Sequence, residues 1–170
     1  MNTAMERRSS PAVLATWVDF DPTAADDIRA ALTNLLADVF VLYLKTKGFH
    51  WHMSGRHFRD YHLMLDEQAD QIFAMTDTIA ERVRKIGGRT IASIGDVARR
   101  QRLMDSPGGE LSPGGMLTEL FRDNLRLRGF MREAHAVCDE NEDVASASIL
   151  ENWIDETERR AWFLYEATRD

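Results

Sequence analysis

Residues 47–81 read KGFHWHMSGRHFRDYHLMLDEQADQIFAMTDTIAE. Five side chains of metal-ligand type stand in this stretch: His50, His62, Asp66, Asp77 and Glu81. No proline interrupts residues 53–86, and apolar residues recur at helical spacing, so most of the stretch is predicted to form one long helix. On that helix His62 and Asp66 are four residues apart, and so are Asp77 and Glu81. An i, i+4 pair lies on one helix face, close enough for both side chains to reach a single ion.

Both pairs also share a face. With Phe58 set to zero, the four residues point to roughly 40°, 80°, 100° and 140°. The apolar residues Phe58, Tyr61, Leu65, Ile72, Ile79, Val83 and Ile86 cluster instead near roughly 320°. The ligand face is therefore predicted to lie away from the face that packs into the chain's own core. Along the helix the pairs centre near positions 64 and 79, roughly 22 Å apart. One chain cannot fold both pairs around one ion, so they either serve two different sites or meet across an interface. A two-fold axis near the middle of the helix lays two copies antiparallel and sets position 64 of one against position 79 of the other. Such a contact repeats itself and makes two identical sites. Ala69 and Phe73 are predicted to pack along it.

Outward from this stretch, the 170 residues suit one domain with a proper core. A net charge of −7 argues against a protein that coats nucleic acid with its whole surface. The single cysteine, Cys138, excludes an internal disulfide and falls on an apolar helical stripe, where it reads as a small core residue. No run approaches the ~18 apolar residues of a membrane-spanning helix. Arg7 and Arg8 precede PAVLATWV, but Asp19 and Asp21 follow with no clear cleavage site, so the expected location is the cytoplasm.

Residues 1–20 are expected to be an extended tail pinned by Trp17, Val18 and Phe20, and residues 21–170 the folded unit. Asp21-Pro22 is an N-cap followed by proline at the first helical position. Ile28, Leu32, Leu35, Val39, Leu42, Thr46 and Phe49 then form a seam, and the helix is predicted to reach about His52. The second helix is predicted from about Arg56 to Ile86, stopped by Gly87-Gly88. A long connection, 87–112, contains SIGDVARRQRL, a short helix that Ser93 could cap, and PGGELSPGG, which is turn chemistry without the Gly-Lys-Ser/Thr ending of a phosphate loop. Ser112-Pro113 starts a third long helix with the seam Leu117, Leu120, Asn124, Leu127, Met131, Ala134 and Cys138. After an acidic turn, Asp139–Asp143, a fourth carries Ala147, Leu150, Ile154, Thr157, Ala161 and Leu164. The predicted fold is all-α: a ferritin-like four-helix bundle with one long crossover carrying a short extra helix. The Glu-x-x-His motifs of iron sites inside such bundles are absent, since Glu133-Ala-His135 has the wrong spacing.

The spacing His50, eleven residues, His62, three, Asp66, ten, Asp77, three, Glu81 resembles the ferroxidase signature of the Dps family, the DNA-binding proteins from starved cells or mini-ferritins. The tryptophan that follows the first histidine in that family is present as Trp51. The resemblance covers nearly everything after the tail. It implies a hollow homododecamer whose two-fold interfaces each carry two ferroxidase sites. His50, His62 and Asp66 would come from one subunit, Asp77 and Glu81 from its partner, and Trp51 would stand beside the iron as an electron donor. It further implies Fe(II) oxidation, with hydrogen peroxide in preference to oxygen, at a site open to a dinuclear centre, and storage of ferric mineral as protection against oxidative damage.

Two departures from the family pattern concern partners. Around the turn before the last helix, Asp139, Glu140, Glu142 and Asp143 match acidic residues of a three-fold pore, but Ser146 and Ser148 stand where acid is common. The tail offers only Arg7 and Arg8, offset by Glu6, instead of a lysine-rich arm, so DNA binding is expected to be weak or absent. The basic groups Arg82, Arg84, Lys85 and Arg89, and Arg99, Arg100 and Arg102, read as solvated or ion-paired. His52 and His57 read as surface or interface residues. Two other functions fit the residues: a structural nucleoid protein with a secondary metal site, and a non-oxidising buffer, because the same ligands bind zinc.

Overall fold

The structure, a computed structural model, describes residues 18–106 and 111–169. The tail residues 1–17, with Arg7, Arg8 and Trp17, and residues 107–110 of the glycine-rich connection lie outside the described residues, as does Asp170. The described elements are all helical: α1 Pro22–His52, α2 Phe58–Lys85, α3 Ile94–Arg100, α4 Pro113–Glu140 and α5 Val144–Glu166. None of these helices is long and apolar enough to cross a membrane.

Local chemistry starts most of them. The Asp21 carboxylate accepts from Thr23 N at 2.9 Å, Ser93 Oγ from Asp96 N at 3.2 Å, Ser112 Oγ from Gly115 N at 3.1 Å, and Asp143 Oδ1 from Ser146 N at 3.1 Å. Each satisfies a donor that the first helical turn leaves orphaned. The start of α2 falls two residues later than the sequence suggests. Gly55, at φ 91°, turns the chain, and Phe58 N donates to Gly55 O at 3.1 Å before the helix begins. The end of α2 follows the sequence. Gly87 takes φ 81°, its N–H donates to Arg84 O, and Gly88 N donates to Val83 O at 2.9 Å, a Schellman closure.

The turns make two antiparallel hairpins, α1 with α2 and α4 with α5, and α1 also packs on α4. The seams expected from the sequence face the shared core. Ile28, Leu35, Leu42, Leu117, Leu127, Leu150 and Leu164 are wholly buried, each worth roughly 1.5–3 kcal/mol of burial. Phe58 departs from its expected place in that core and is 45% exposed. It stands in the first turn of α2, beyond the end of the packed layer, and its ring leans on His62 instead.

Charged groups inside the bundle fix the crossover. Asp38 is fully buried and accepts from the backbone N–H of Arg102 and Leu103 at 2.5 and 3.0 Å, and from Arg102 Nε at 2.8 Å. Lys45, one heptad further along α1, donates to Met104 O at 2.6 Å and to Asp123 at 2.7 Å, with Glu119 at 3.0 Å. The Arg102 guanidinium lies 3.9 Å over the Phe130 ring. Residues 102–104, just after α3, are thereby tied down, and α3 packs on α1.

Candidate metal centre

The short turn between α1 and α2 places the last turn of α1 against the first turns of α2. His50 and His62 stack there with ring centroids 3.7 Å apart and planes 19° from parallel. Each ring bonds to the other's backbone: His50 Nδ1 lies 2.8 Å from His62 O, and His62 Nδ1 2.9 Å from His50 O. A carbonyl oxygen only accepts, so both Nδ1 atoms carry the proton. In the neutral ring this tautomer puts the lone pair on Nε2, the atom through which the imidazole would bind a metal. His50 Nε2 stands 3.8 Å from Asp66 Oδ1. Two imidazole rings and one carboxylate are thus neighbours at one end of α2, donor types suited to a borderline divalent ion such as iron, but they do not converge closely enough within the chain to hold one.

Lys47 completes this corner. Its ammonium hydrogen-bonds Asp66 and lies 3.9 Å from Asp70. That hydrogen bond holds the Asp66 carboxyl below the usual carboxylate range and raises Lys47 above its own. A cation approaching Asp66 must displace the ammonium. Sequence reasoning passed over both Lys47 and Asp70, although Asp70 continues the i, i+4 ladder from Asp66 and Lys47 stands one helical turn before His50.

Asp77 and Glu81 are not brought to this corner. Both are exposed further along α2, roughly 22 Å from the first pair between pair centres. Glu81 meets Lys85 at 3.2 Å. Among the described residues, no three histidine, cysteine or carboxylate side chains converge closely enough to hold a metal within one chain. Trp51 is 63% exposed. His52 and His57 stay apart, His52 bonded to Gly48 O at 2.7 Å and His57 leaning on Tyr61.

Between the two ligand pairs, Phe73 is half exposed, with its ring 4.8 Å from Tyr43. Ala69 departs from the expectation that it packs against a second copy: it is fully buried in its own chain's core. At roughly 20° it falls on the boundary of the two faces, and packing within the chain puts it on the buried side. Tyr43 also lines an open groove of about 1130 Å³ between α1 and α3, walled by Leu44, Phe49, Ile94 and Val97.

The acidic turn before α5 differs from the pore reading. Asp143 is 1% exposed, accepts from Arg82 Nη2 at 2.5 Å and from Ser146 Oγ at 2.5 Å, and caps α5. It is committed to the fold, while Asp139, Glu140 and Glu142 are exposed. The basic groups are largely paired: Arg82 with Asp143, Arg99 with Asp96, and Arg102 with Asp38 and Glu133.

Known proteins share this architecture. Residues 29–170 match the family model described as a ferritin-like domain. The chain is 32% identical over 143 residues to the DNA protection during starvation protein of Brevibacillus brevis, covering 84% of this chain and 95% of that one. It is 33% identical over 144 residues to a low temperature-induced protein of Nostoc, covering 82% and 80%. DpsC from Streptomyces coelicolor superposes with a TM-score of 0.89 at 28% identity, covering 93% of this chain and 92% of that one. With the bundle, its crossover helix and these relatives in agreement, the chain belongs to the Dps family of ferritin-like proteins.

Proposed function

We propose that this chain is a subunit of an iron-storing mini-ferritin that oxidises Fe(II) at sites built across a two-fold interface. One observation carries the reading. His50, His62 and Asp66 are gathered with their donor atoms free of the fold's own hydrogen bonds, apart from Lys47, while Asp77 and Glu81 wait on the same face of α2. Laid antiparallel about an axis near position 72, a second α2 supplies the missing carboxylates. The half-exposed Phe73 and the groove beside Tyr43 offer apolar surface for that contact.

In this reading Fe(II) is the substrate. The imidazoles and carboxylates bind and orient it, and the stacked rings keep their Nε2 atoms aimed by fixing both Nδ1 protons. Each Fe(II) gives up one electron, and hydrogen peroxide takes up two and is reduced to water, or oxygen serves as the oxidant. Twelve subunits enclose the ferric product, Trp51 stands beside the site as an electron donor, and the protein works in the cytoplasm. Zinc, which favours the same donors, occupies the site as a competitor.

Stopped-flow mixing of Fe(II) with peroxide or oxygen, on protein sized by gel filtration, tests this. Rapid formation of ferric product, faster with peroxide and slowed severely by His62→Ala with Asp66→Ala, is expected. Oxidation at the wild-type rate by the double variant would reject the site. DNA binding is weak in the same reading, because several cations that could release counterions, Arg82, Arg99 and Arg102 among them, are paired with carboxylates within the chain. A gel shift that persists at ~150 mM salt would contradict that.

A further inference from the structure

Midway along the bundle, on the side of α2 opposite its ligand face, two buried side chains each carry a polar atom without a partner among the described residues. Arg160 of α5 is 2% exposed. Its Nε donates to Asn124 Oδ1 at 3.2 Å and its Nη2 to Thr157 Oγ1 at 2.6 Å, both neutral, and Nη1 has no partner among the described residues. Gln68 of α2 is 4% exposed, and its Oε1 has no partner there either. Both residues line one small cavity of about 20 Å³, with Glu67, Gln71, Arg159 and Phe163 among its other walls. Burial draws the Arg160 pKa down to about 10, so the guanidinium stays charged at neutral pH.

The two orphans are of opposite sense, one N–H donor and one carbonyl acceptor. A halide would accept from Arg160, with the charges of Arg159 and Glu67 on the cavity wall offsetting each other, but it would face the Gln68 carbonyl and leave that acceptor unsatisfied. Water matches both, accepting from the guanidinium and donating to the amide oxygen, and a polar cavity of roughly 10–15 Å³ suffices for one molecule. We propose that a single bound water bridges Arg160 Nη1 and Gln68 Oε1, and so joins α2 to α5 at mid-length. The direct ties lie near the ends: Tyr61 Oη donates to Ala167 O at 2.9 Å, and Arg82 Nε to Ser146 Oγ at 2.8 Å. The water adds a third tie on the stretch of α2 between its two ligand pairs. It holds whether or not those pairs bind iron.

Near-atomic-resolution crystals of the full chain, soaked in bromide, test the bridge. The expected result is a peak within hydrogen-bond distance of both atoms and without bromide's anomalous signal. A bromide signal there, a direct Arg160–Gln68 bond, or no density overturns it. Hydrogen exchange on the assembled protein gives a second test. Gln68→Met removes the acceptor and is expected to speed exchange of the central α2 amides about ten-fold. Gln68→Glu keeps an acceptor at the same reach and is expected to retain both the wild-type protection and the bridging peak. Unchanged exchange in Gln68→Met, or loss of the peak in Gln68→Glu, overturns the proposal.

Discussion

In the first half of α2, His62 and Asp66 meet His50 and Lys47 of α1, and every one of these groups has a defined partner. In the second half, Asp77 and Glu81 lie on the same helical face but meet solvent and one lysine. The opposite face of that second half is the more firmly anchored. Arg82 reaches the α4–α5 turn and pairs with buried Asp143. The difference teaches where the fold spends its interactions. One end of the helix is held in a fixed geometry against α1, whereas the other is anchored from behind and presents its carboxylates outward. In the proposed function these two ends are the halves of one site, brought together by a two-fold contact.

The largest expected effect breaks the comparison at both halves. His62→Ala with Asp66→Ala in one chain, and Asp77→Ala with Glu81→Ala in another, should each lose more than about 100-fold of ferroxidase rate, since even supporting residues around metal sites cost 10–100-fold. Co-refolded, the two chains form mixed pairs in which one of two sites recovers all five ligands. Activity should then return toward half of wild type. No recovery, with mixed pairs verified by mass spectrometry, would place the site within one chain.

The next effect is on stability and tests the anchor behind the second half. Arg82→Leu strands the buried Asp143 carboxylate and should cost about 3 kcal/mol in urea denaturation. A loss below about 1 kcal/mol would mean that Ser146 and the cap suffice to hold Asp143.

Lys47→Met probes the first half. Asp66 has a lowered folded pKa because Lys47 bonds it, so their mutual stabilisation is present above the ordinary carboxylate pKa and fades as pH falls through the folded value. The melting-temperature gap between wild type and Lys47→Met should therefore narrow with acid. At neutral pH the variant should bind Co(II) more tightly, having no ammonium to displace. A gap independent of pH, or weaker Co(II) binding, would mean that the Lys47–Asp66 pair does not form in solution.

The smallest effect concerns the turn that receives Arg82. It closes α4 with the same Schellman pattern as α2, Asp143 N to Cys138 O at 2.8 Å and Glu142 N to Asp139 O at 3.0 Å. Where α2 has Gly87 at the left-handed position, α4 has Glu142 at φ 57°. Glu142→Gly should stabilise the chain by about 1 kcal/mol, read from thermal melting, because glycine takes this conformation without a Cβ clash. A destabilised variant would show that the Glu142 side chain makes a contact worth more than the strain.

Much of this was legible in the sequence because its causes are local. Caps, glycine stops and seams depend on residues within one or two helical turns, so Asp21, Ser93, Ser112 and Gly87 could be read directly. The shared face of His62, Asp66, Asp77 and Glu81 follows from helical pitch alone, and so does their separation. Tertiary structure decided what depends on residues brought together from afar. Asp38 and Lys45 are charges on the packed face of α1, and only partners more than fifty residues away explain their burial. Asp143 looked like one of four equivalent acids until Arg82, 61 residues earlier, claimed it. Ala69 sat on the boundary between two faces, and packing within the chain settled its side. Charge burial and boundary residues are set by which surfaces meet, and a periodic pattern along one helix contains no record of the surface opposite.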